Sequence, residues 1–141
     1  MFEEFLASDD TLRVCKGDRL IFTSSKERLL PLVEYIDTFA PYEKEVTVFD
    51  RVVGNAAALL LKKISCSETY SALGSELAAR TLDGFGISYH FMEIVPYIKD
   101  ASGQDMCPME KLSLNKQPDE FYQVLKERIT NTGNGSPGTR R

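Results

Sequence analysis

The chain of 141 residues has a net charge of −4, and 43% of its residues are apolar and 27% charged. This length and composition are typical of one soluble globular domain. Lysines and arginines form no cluster before the final pair, which argues against a nucleic-acid partner. The segment MFEEFLASDD lacks the features of a signal peptide, and the longest apolar run, residues 56–61, is too short to span a bilayer. We therefore expect a cytoplasmic protein without a membrane partner.

Residues that commonly bind metals are few and scattered. The three cysteines, Cys15, Cys66 and Cys107, lie far apart, and His90 is the single histidine. Because there is no C-x-x-C motif and no local ligand pair, a zinc site would have to be assembled from distant segments. We expect three reduced thiols, no bound metal and no cofactor.

The first forty residues predict a helix, a hairpin and a second helix. Apolar residues at helical spacing predict a short helix over residues 2–8. Alternating apolar residues on both sides of the motif KGD predict a β-hairpin over residues 11–24. The next helix has Ser24 or Ser25 as its N-cap, or it begins near Leu30 with a proline in its first turn.

Strands and helices alternate in the rest of the chain. The runs VTVF, ETYSAL and ISYHFMEIV predict strands. Between them lie a helix over residues 50–63, with Asp50 as its N-cap, and a helix over residues 75–86, with Ser75 as its N-cap. The segment CPMEKLS predicts a helix start with Cys107 at the cap, and QPDEFYQVLKERI predicts an amphipathic helix.

The order of these elements determines the expected architecture. Strands that alternate with helices imply right-handed crossovers and a mostly parallel sheet. The leading hairpin adds an antiparallel pair, so we expect a three-layer α/β/α sandwich with a mixed sheet, formed by a single domain over residues 1–130. Residues 131–141 contain no apolar anchor, which predicts a disordered tail.

The segment FDRVVGNAAALLLKK, residues 49–63, has many small residues near the start of its predicted helix. Glycine inside a helix costs about 0.5–1 kcal/mol relative to alanine, so another interaction should compensate for it. Either another element packs closely against Gly54, or a ligand binds the N–H groups at the helix start. Asp50 partly opposes the second alternative, because a capping carboxylate already accepts those N–H groups.

Three segments together resemble a known family. FDRVVGNAAALL, SELAARTLDGFGISY and IVPYIKDASGQDMCPMEKL are similar to the family catalogued as domain of unknown function 1893, with its D-x-V-V-G-x-A-A-A and C-P-x-E motifs. The resemblance covers roughly residues 10–115 and implies a cytidine-deaminase-like fold. The segment TSSKERLLPL departs from the family pattern, because the glycine that usually follows the serine is missing. A ligand-binding loop at Ser24 and Ser25 would therefore lack this glycine.

The resemblance also implies where a deaminase would carry its zinc. In that fold the helix after the hairpin carries H-A-E or C-A-E, the next helix carries P-C-x-x-C, and zinc lies between the two helix starts. If Asp50 replaces the first ligand here, Val52 replaces the glutamate that transfers protons, and the segment LGSELAA contains no cysteine. We therefore expect no zinc-dependent deamination.

The starts of these two helices define a predicted cleft. Its candidate ligand-binding residues are Asp50, Arg51, Gly54, Asn55, Ser75 and Glu76. Asn55 could bind a base edge or a ribose hydroxyl, whereas a helix cap and a first-turn acid also account for Ser75 and Glu76. The predicted partner is a nucleotide-like small molecule.

The C-P-x-E motif supplies the other candidates. Cys107 at a helix N-terminus is a candidate nucleophile, because the helix dipole favours the thiolate, and Asp50 and Glu110 are candidate acids or bases. A catalytic thiol usually requires a histidine partner, and the strand that contains His90 could point it inward or outward. The alternative is a capping turn together with a core histidine.

Three functions follow from these residues. The first is a module that binds a nucleotide or a nucleoside derivative. The second is an enzyme without zinc that uses Cys107 as nucleophile or Asp50 as acid and base. The third is an interaction protein, in which the helix rich in small residues forms a homo-oligomer contact. We rank the binding module first, because the predicted cleft lacks known catalytic groups.

Overall fold

The computed structural model describes residues 1–134, with side chains through residue 130. Five strands form one mixed sheet in the order β2-β1-β3-β4-β5. The strands are β1 (Leu12–Lys16), β2 (Arg19–Ser24), β3 (Val46–Val53), β4 (Cys66–Ser75) and β5 (Ser88–Val95). The helices are α1 (Phe2–Ala7), α2 (Leu30–Thr38), α3 (Asn55–Lys63), α4 (Glu76–Phe85), α5 (Pro108–Ser113) and α6 (Pro118–Asn134). The α/β class and the mixed sheet with an N-terminal hairpin are confirmed.

The sheet combines an antiparallel and a parallel half. Strand β1 pairs antiparallel with both β2 and β3, whereas β3, β4 and β5 run parallel to one another. The hairpin turn contains Gly17 with a φ of 59°, a left-handed conformation that glycine adopts without a Cβ clash. Both parallel crossovers advance in the same direction across the sheet, so right-handed connections place α3 and α4 on the same face.

Helix α3 lies at the centre of the main core. All of its residues from Asn55 to Leu61 are buried, and the helices α2, α4, α5 and α6 join it in one apolar cluster on one face of the sheet. On the opposite face, Phe5 of α1 packs against Cys15 and Phe49. Within residues 1–134, no helix has both the length and the apolar character needed to cross a bilayer.

Asp50 lies inside β3, so the prediction that it caps a helix is wrong. The β-branched Val52 and Val53 continue the strand, which pairs with β4 as far as Val53. Helix α3 begins at Asn55, with Gly54 as its N-cap residue. Asp50 is therefore placed near the carboxyl end of a parallel strand, the end at which ligands bind in open α/β sheets.

The predicted serine cap of α2 is also wrong. Ser24 is the last residue of β2, and its hydroxyl group accepts the N–H of Lys26 at 3.1 Å. Helix α2 has Leu29 as its N-cap residue and Pro31 in its first turn. The alternative start near Leu30 is thus confirmed, because proline is favoured where a helix N–H has no partner.

Other helix boundaries agree with the sequence. The Ser75 hydroxyl caps α4 by accepting the N–H of Ala78 at 3.0 Å, and Gly86 ends this helix with a φ of 75°. Cys107 is the N-cap residue of α5, and Pro108 is its first residue.

Helix α6 runs further than the sequence predicted. Phe121 and Leu125 bury its apolar side in the main core, and Lys63 of α3 pairs with Asp119 at 2.7 Å. The helix continues through Asn134, past residue 131 at which the predicted tail begins. The rest of that predicted tail, residues 135–141, lies outside the described residues.

Candidate functional site

A groove of about 680 Å³ opens at the carboxyl end of β3. Its walls are the segment before α2, the first turn of α3, and the loop between β5 and α5. The sequence candidates that line it are Asp50, Arg51, Gly54, Cys107 and Glu110. The two sequence motifs that carried the predictions thus meet at one place in the fold.

Asp50 is the buried acid of this groove. It is 7% exposed, and no side chain among the described residues donates a hydrogen bond to it. Burial raises the pKa of Asp50 to about 8, against the opposing effect of the backbone N–H groups of Arg51 and Val52 and the charge of Arg51. Because loss of solvation disfavours the charged form, Asp50 is mostly neutral at pH 7.

Arg51 has a structural role. Its guanidinium group donates hydrogen bonds to the backbone carbonyl groups of Phe5, Leu6, Ser8 and Asp10, at 2.7 to 3.1 Å. The guanidinium carbon also lies 4.6 Å from the centre of the Phe5 ring, on the face of the sheet that α1 covers. These bonds hold the end of α1 and the following turn against β3, so the charge is directed away from the groove.

Glu110 explains why position 54 is a glycine. Its Oε1 accepts the N–H of Asn55 and its Oε2 accepts the N–H of Ile98 at 2.8 Å, so it caps α3 and fixes the loop after β5. A Cβ atom at Gly54 would lie 2.7 Å from Oε1 of Glu110 and 2.9 Å from Ile98. Of the two alternatives at this glycine, the structure therefore shows close packing, with the carboxylate of Glu110 occupying the helix start.

Asn55 is buried and fully engaged. Its amide nitrogen donates to the hydroxyl of Ser113 at 3.0 Å, and its amide oxygen accepts the hydroxyl of Thr81. It joins α3 to α5 and α4 through these bonds. The predicted contact between Asn55 and a base or ribose remains a prediction, and it would require these bonds to break.

Four other candidates lie away from the groove lining. Ser75 is buried and engaged as the cap of α4, and Glu76 is exposed on the first turn of that helix. Ser24 bonds within its own turn, and Ser25 is exposed. The structure thus places Ser24, Ser25, Ser75 and Glu76 outside the lining of the groove that contains Asp50.

Cys107 and His90 do not meet. Cys107 lines the groove and donates its backbone N–H to the carbonyl of Ile98 at 2.8 Å. His90 is half exposed on the opposite face of the sheet, where it stacks on Tyr70 at 4.4 Å and pairs with Glu68 at 2.7 Å. The expectation of a core histidine is wrong, and a thiol–histidine pair is absent from the described residues.

Zinc does not fit the helix starts. Because α3 begins at Asn55, neither Asp50 nor Val52 lies on the helix to which the deaminase comparison assigned them. The residues that begin α3 and α4 supply no imidazole or thiol group. Within the described part of the chain, no three His, Cys, Asp or Glu side chains are grouped closely enough to hold a metal ion.

The outer wall of the groove escaped prediction from the sequence. The exposed side chains of Arg28 and Lys99 line it, together with Ser102. The loop folds on itself, with the Asp100 carboxylate accepting the N–H groups of Ser102 and Gly103 at 3.1 Å. The C-P-x-E motif was the available signal for this wall, because its glutamate binds the loop at Ile98.

Two comparisons with known proteins agree. A family profile described as domain of unknown function (DUF1893) matches residues 2–129. A crystal structure of a DUF1893 family protein from Thermotoga maritima is similar, with a TM-score of 0.81 and 29% sequence identity over 89% of this chain and 85% of that chain. No curated protein matches the chain. Since the profile spans nearly all of the described residues, the chain belongs to the DUF1893 family.

Proposed function

We propose that the chain binds a nucleoside derivative or a nucleotide-like small molecule in the groove beside Asp50. The observation that carries this proposal is a buried carboxyl group without a side-chain partner on the wall of a groove of about 680 Å³. Asp50 accepts the backbone N–H groups of Arg51 and Val52 but has no side-chain partner, so its carboxyl group on a cavity wall is a candidate contact for a ligand. The volume lies within the range of about 300–1,000 Å³ that is usual for small-molecule sites.

The groove lining suits a ligand with an apolar ring and a polar or anionic substituent. Leu29, Ala57 and Met109 supply apolar surface for a ring. Arg28 and Lys99 supply exposed cationic groups that can attract a phosphate group. This arrangement supports a nucleotide-like ligand whose base lies inside and whose phosphate lies at the rim.

We also propose a cytidine-deaminase-like arrangement without the zinc site. Its support is that α3 and α4 follow neighbouring parallel strands and begin at the same end of the sheet. In this arrangement α1 contributes to the third layer of an α/β/α sandwich. The site would have moved from the two helix starts to the space between β3 and the loop after β5.

A panel of nucleosides, nucleotides and dinucleotides tests the proposed binding by thermal shift, followed by calorimetry. We expect one class to raise the melting temperature of the wild type and to lose affinity in Asp50→Leu. The matched control is Glu68→Gln, which changes a carboxyl group on the opposite face. If no compound of the panel raises the melting temperature, the proposal fails.

A second candidate is an enzyme that uses Asp50 as acid and base. Asp50 has a pKa of about 8, near the value suited to proton transfer at neutral pH, and Cys107 lines the same groove. This candidate predicts that Cys107 reacts with iodoacetamide near neutral pH much faster than the buried Cys15 and Cys66, and that Asp50→Asn changes its rate. Equal, slow labelling of the three thiols would exclude a nucleophilic Cys107.

A further inference from the structure

We infer that Asp50 binds its ligand as a neutral carboxylic acid, with one donated and one accepted hydrogen bond. It therefore selects an uncharged heterocycle that presents an N–H donor beside an acceptor, the edge found in lactams, amidines and nucleobases. This inference deepens the proposed function and rests on the groove being the binding site.

The neighbouring strand β4 supplies no side-chain hydrogen bond to Asp50. In the parallel register, Asp50 lies opposite Ser71 of β4. The hydroxyl group of Ser71 donates to the carbonyl of Leu73 at 2.8 Å, and that of Thr69 donates to the carbonyl of Val48 at 2.9 Å. The two nearby hydroxyl groups on the core face of β4 are therefore engaged with the backbone. Asp50 accepts the backbone N–H groups of Arg51 and Val52, so the O–H of its neutral form is the group that has no partner among the described residues, and Asp50 lines the groove.

The charged groups around the groove do not neutralise Asp50 by an ion pair. Arg51 donates to backbone carbonyl groups at the end of α1 and in the following turn, and both oxygens of Glu110 accept backbone N–H groups. The remaining charged residues of the lining are Glu27, Arg28, Lys99 and Asp100, and no salt bridge among the described residues joins any of them to Asp50. Burial therefore outweighs the charge of Arg51, and the proton stays on Asp50.

A neutral and an ionised carboxyl group select different ligands. The neutral acid has one O–H donor and one carbonyl acceptor, whereas the carboxylate offers acceptors alone. The neutral form matches a ring edge with one donor and one acceptor, and the ionised form matches two adjacent donors, as in an amidinium or guanidinium group. An asparagine side chain also carries one donor and one acceptor, so Asp50→Asn imitates the neutral acid.

The test uses the full chain and two pairs of probes. 2-Pyridone and adenosine each present a donor beside an acceptor, whereas N-methyl-2-pyridone and N6,N6-dimethyladenosine lack the donor. Binding is measured by calorimetry at pH 6.5 and pH 9, and ¹³C NMR of the Asp50 carboxyl carbon reports its protonation and its contact with the probe. Wild type, Asp50→Asn and Asp50→Leu are compared.

We expect the two unmethylated probes to bind the wild type at pH 6.5 and to shift the Asp50 signal, while the methylated probes do neither. Affinity should fall about tenfold by pH 9, because the proton leaves Asp50 over this range. Asp50→Asn should bind at both pH values with little change, and Asp50→Leu should not bind. Retention of binding in the asparagine variant also shows that this variant is folded.

The remaining outcomes separate this inference from the proposed function. If 2-pyridone follows this pattern and no nucleoside binds, the neutral acid is supported and the nucleoside ligand is excluded. If adenosine binds equally well to Asp50→Leu, nucleoside binding stands and the inference fails. Affinity that rises with pH, or that is lost in Asp50→Asn, shows an ionised carboxylate and overturns the inference. Failure of all four probes with the wild type overturns both.

Discussion

Two buried carboxyl groups line the same groove in opposite surroundings. Glu110 accepts a backbone N–H at each oxygen, from Asn55 and Ile98, and so joins a helix start to a loop. Asp50 accepts the backbone N–H groups of its chain neighbours Arg51 and Val52, has no side-chain donor among the described residues, and lines the groove. A buried acid that joins two distant segments stabilises the fold, whereas a buried acid whose backbone donors are its own neighbours can still bind a ligand from the groove. Both residues carry a carboxyl group, and the groups that surround each carboxyl determine its role.

The largest effect separates the two acids by pH. Asp50→Asn should be more stable than the wild type. The difference between their free energies of unfolding should grow by about 4 kcal/mol from pH 5 to pH 8. The pKa of Asp50 is about 8 in the folded chain and near its ordinary value of 3.8 in the unfolded chain. Between these values the unfolded chain loses the proton and the folded chain keeps it, so wild-type stability falls as pH rises.

Urea unfolding of both chains across this pH range measures that difference. Asp105→Asn is the matched control, because Asp105 is exposed and its pKa is lowered by a hydrogen bond from Lys111. For the control the stability difference should not grow in favour of the variant over this range. A difference between Asp50→Asn and the wild type that stays constant from pH 5 to pH 8 would show that Asp50 titrates at its ordinary pKa.

The second effect tests the satisfied acid. Glu110→Ala leaves the N–H groups of Asn55 and Ile98 without acceptors, and each unsatisfied buried donor costs about 1–3 kcal/mol. We expect a loss of about 3 kcal/mol in the free energy of unfolding, measured by urea titration at pH 7. In the control Glu76→Ala, the removed acid is exposed on α4, and the loss should stay below about 1 kcal/mol. Equal losses in the two variants would contradict the role assigned to Glu110.

The fold could be predicted from the sequence wherever local patterns agree with tertiary packing. The hairpin around Gly17, the cap at Ser75 and the end of α4 at Gly86 each depend on residues within a few positions of one another. Asp50 illustrates the opposite case. Its position before a helix-like run suggested a cap, but pairing of β3 with β4 extends the strand to Val53. Strand pairing is a non-local interaction that one segment does not reveal.

The sequence predicted which residues belong to the site, but it did not predict what each of them does. The two motifs supplied Asp50, Gly54, Cys107 and Glu110, which the structure brings to one groove. Glu110 caps α3 through a hydrogen bond between residues 55 positions apart. The segment around Glu110 therefore predicted an acid in the first turn of α5 and no contact with α3. Likewise, Arg51 binds carbonyl groups more than 40 positions away. Contacts of this range follow from the tertiary fold, whereas the residue types follow from the motifs.

A third, smaller effect concerns the charge nearest to Asp50. Arg51→Met removes hydrogen bonds to carbonyl groups at the end of α1 and in the following turn, so we expect a loss of about 2 kcal/mol in the free energy of unfolding. It should also raise the pKa of Asp50 further, because the charge of Arg51 lowers that pKa in the wild type. Hydrogen exchange of α1 and ¹³C titration of Asp50 measure the two effects. The exposed Arg80→Met is the control, and an unchanged exchange rate in α1 would refute the structural role of Arg51.

The smallest expected effect tests the close contact between Gly54, at the start of α3, and Glu110. In Gly54→Ala the new methyl group lies within 3 Å of both Glu110 and Ile98, so the carboxylate must move away from the N–H of Asn55. We expect a loss of about 1–2 kcal/mol in the free energy of unfolding at pH 7. Gly84→Ala is the matched control, because a Cβ atom there meets nothing within 4 Å, and alanine in a helix should increase stability by about 0.5–1 kcal/mol. If both substitutions stabilise the chain, then the Glu110 side chain moves aside without loss of stability. The glycine at position 54 would then have to be explained by space for a ligand.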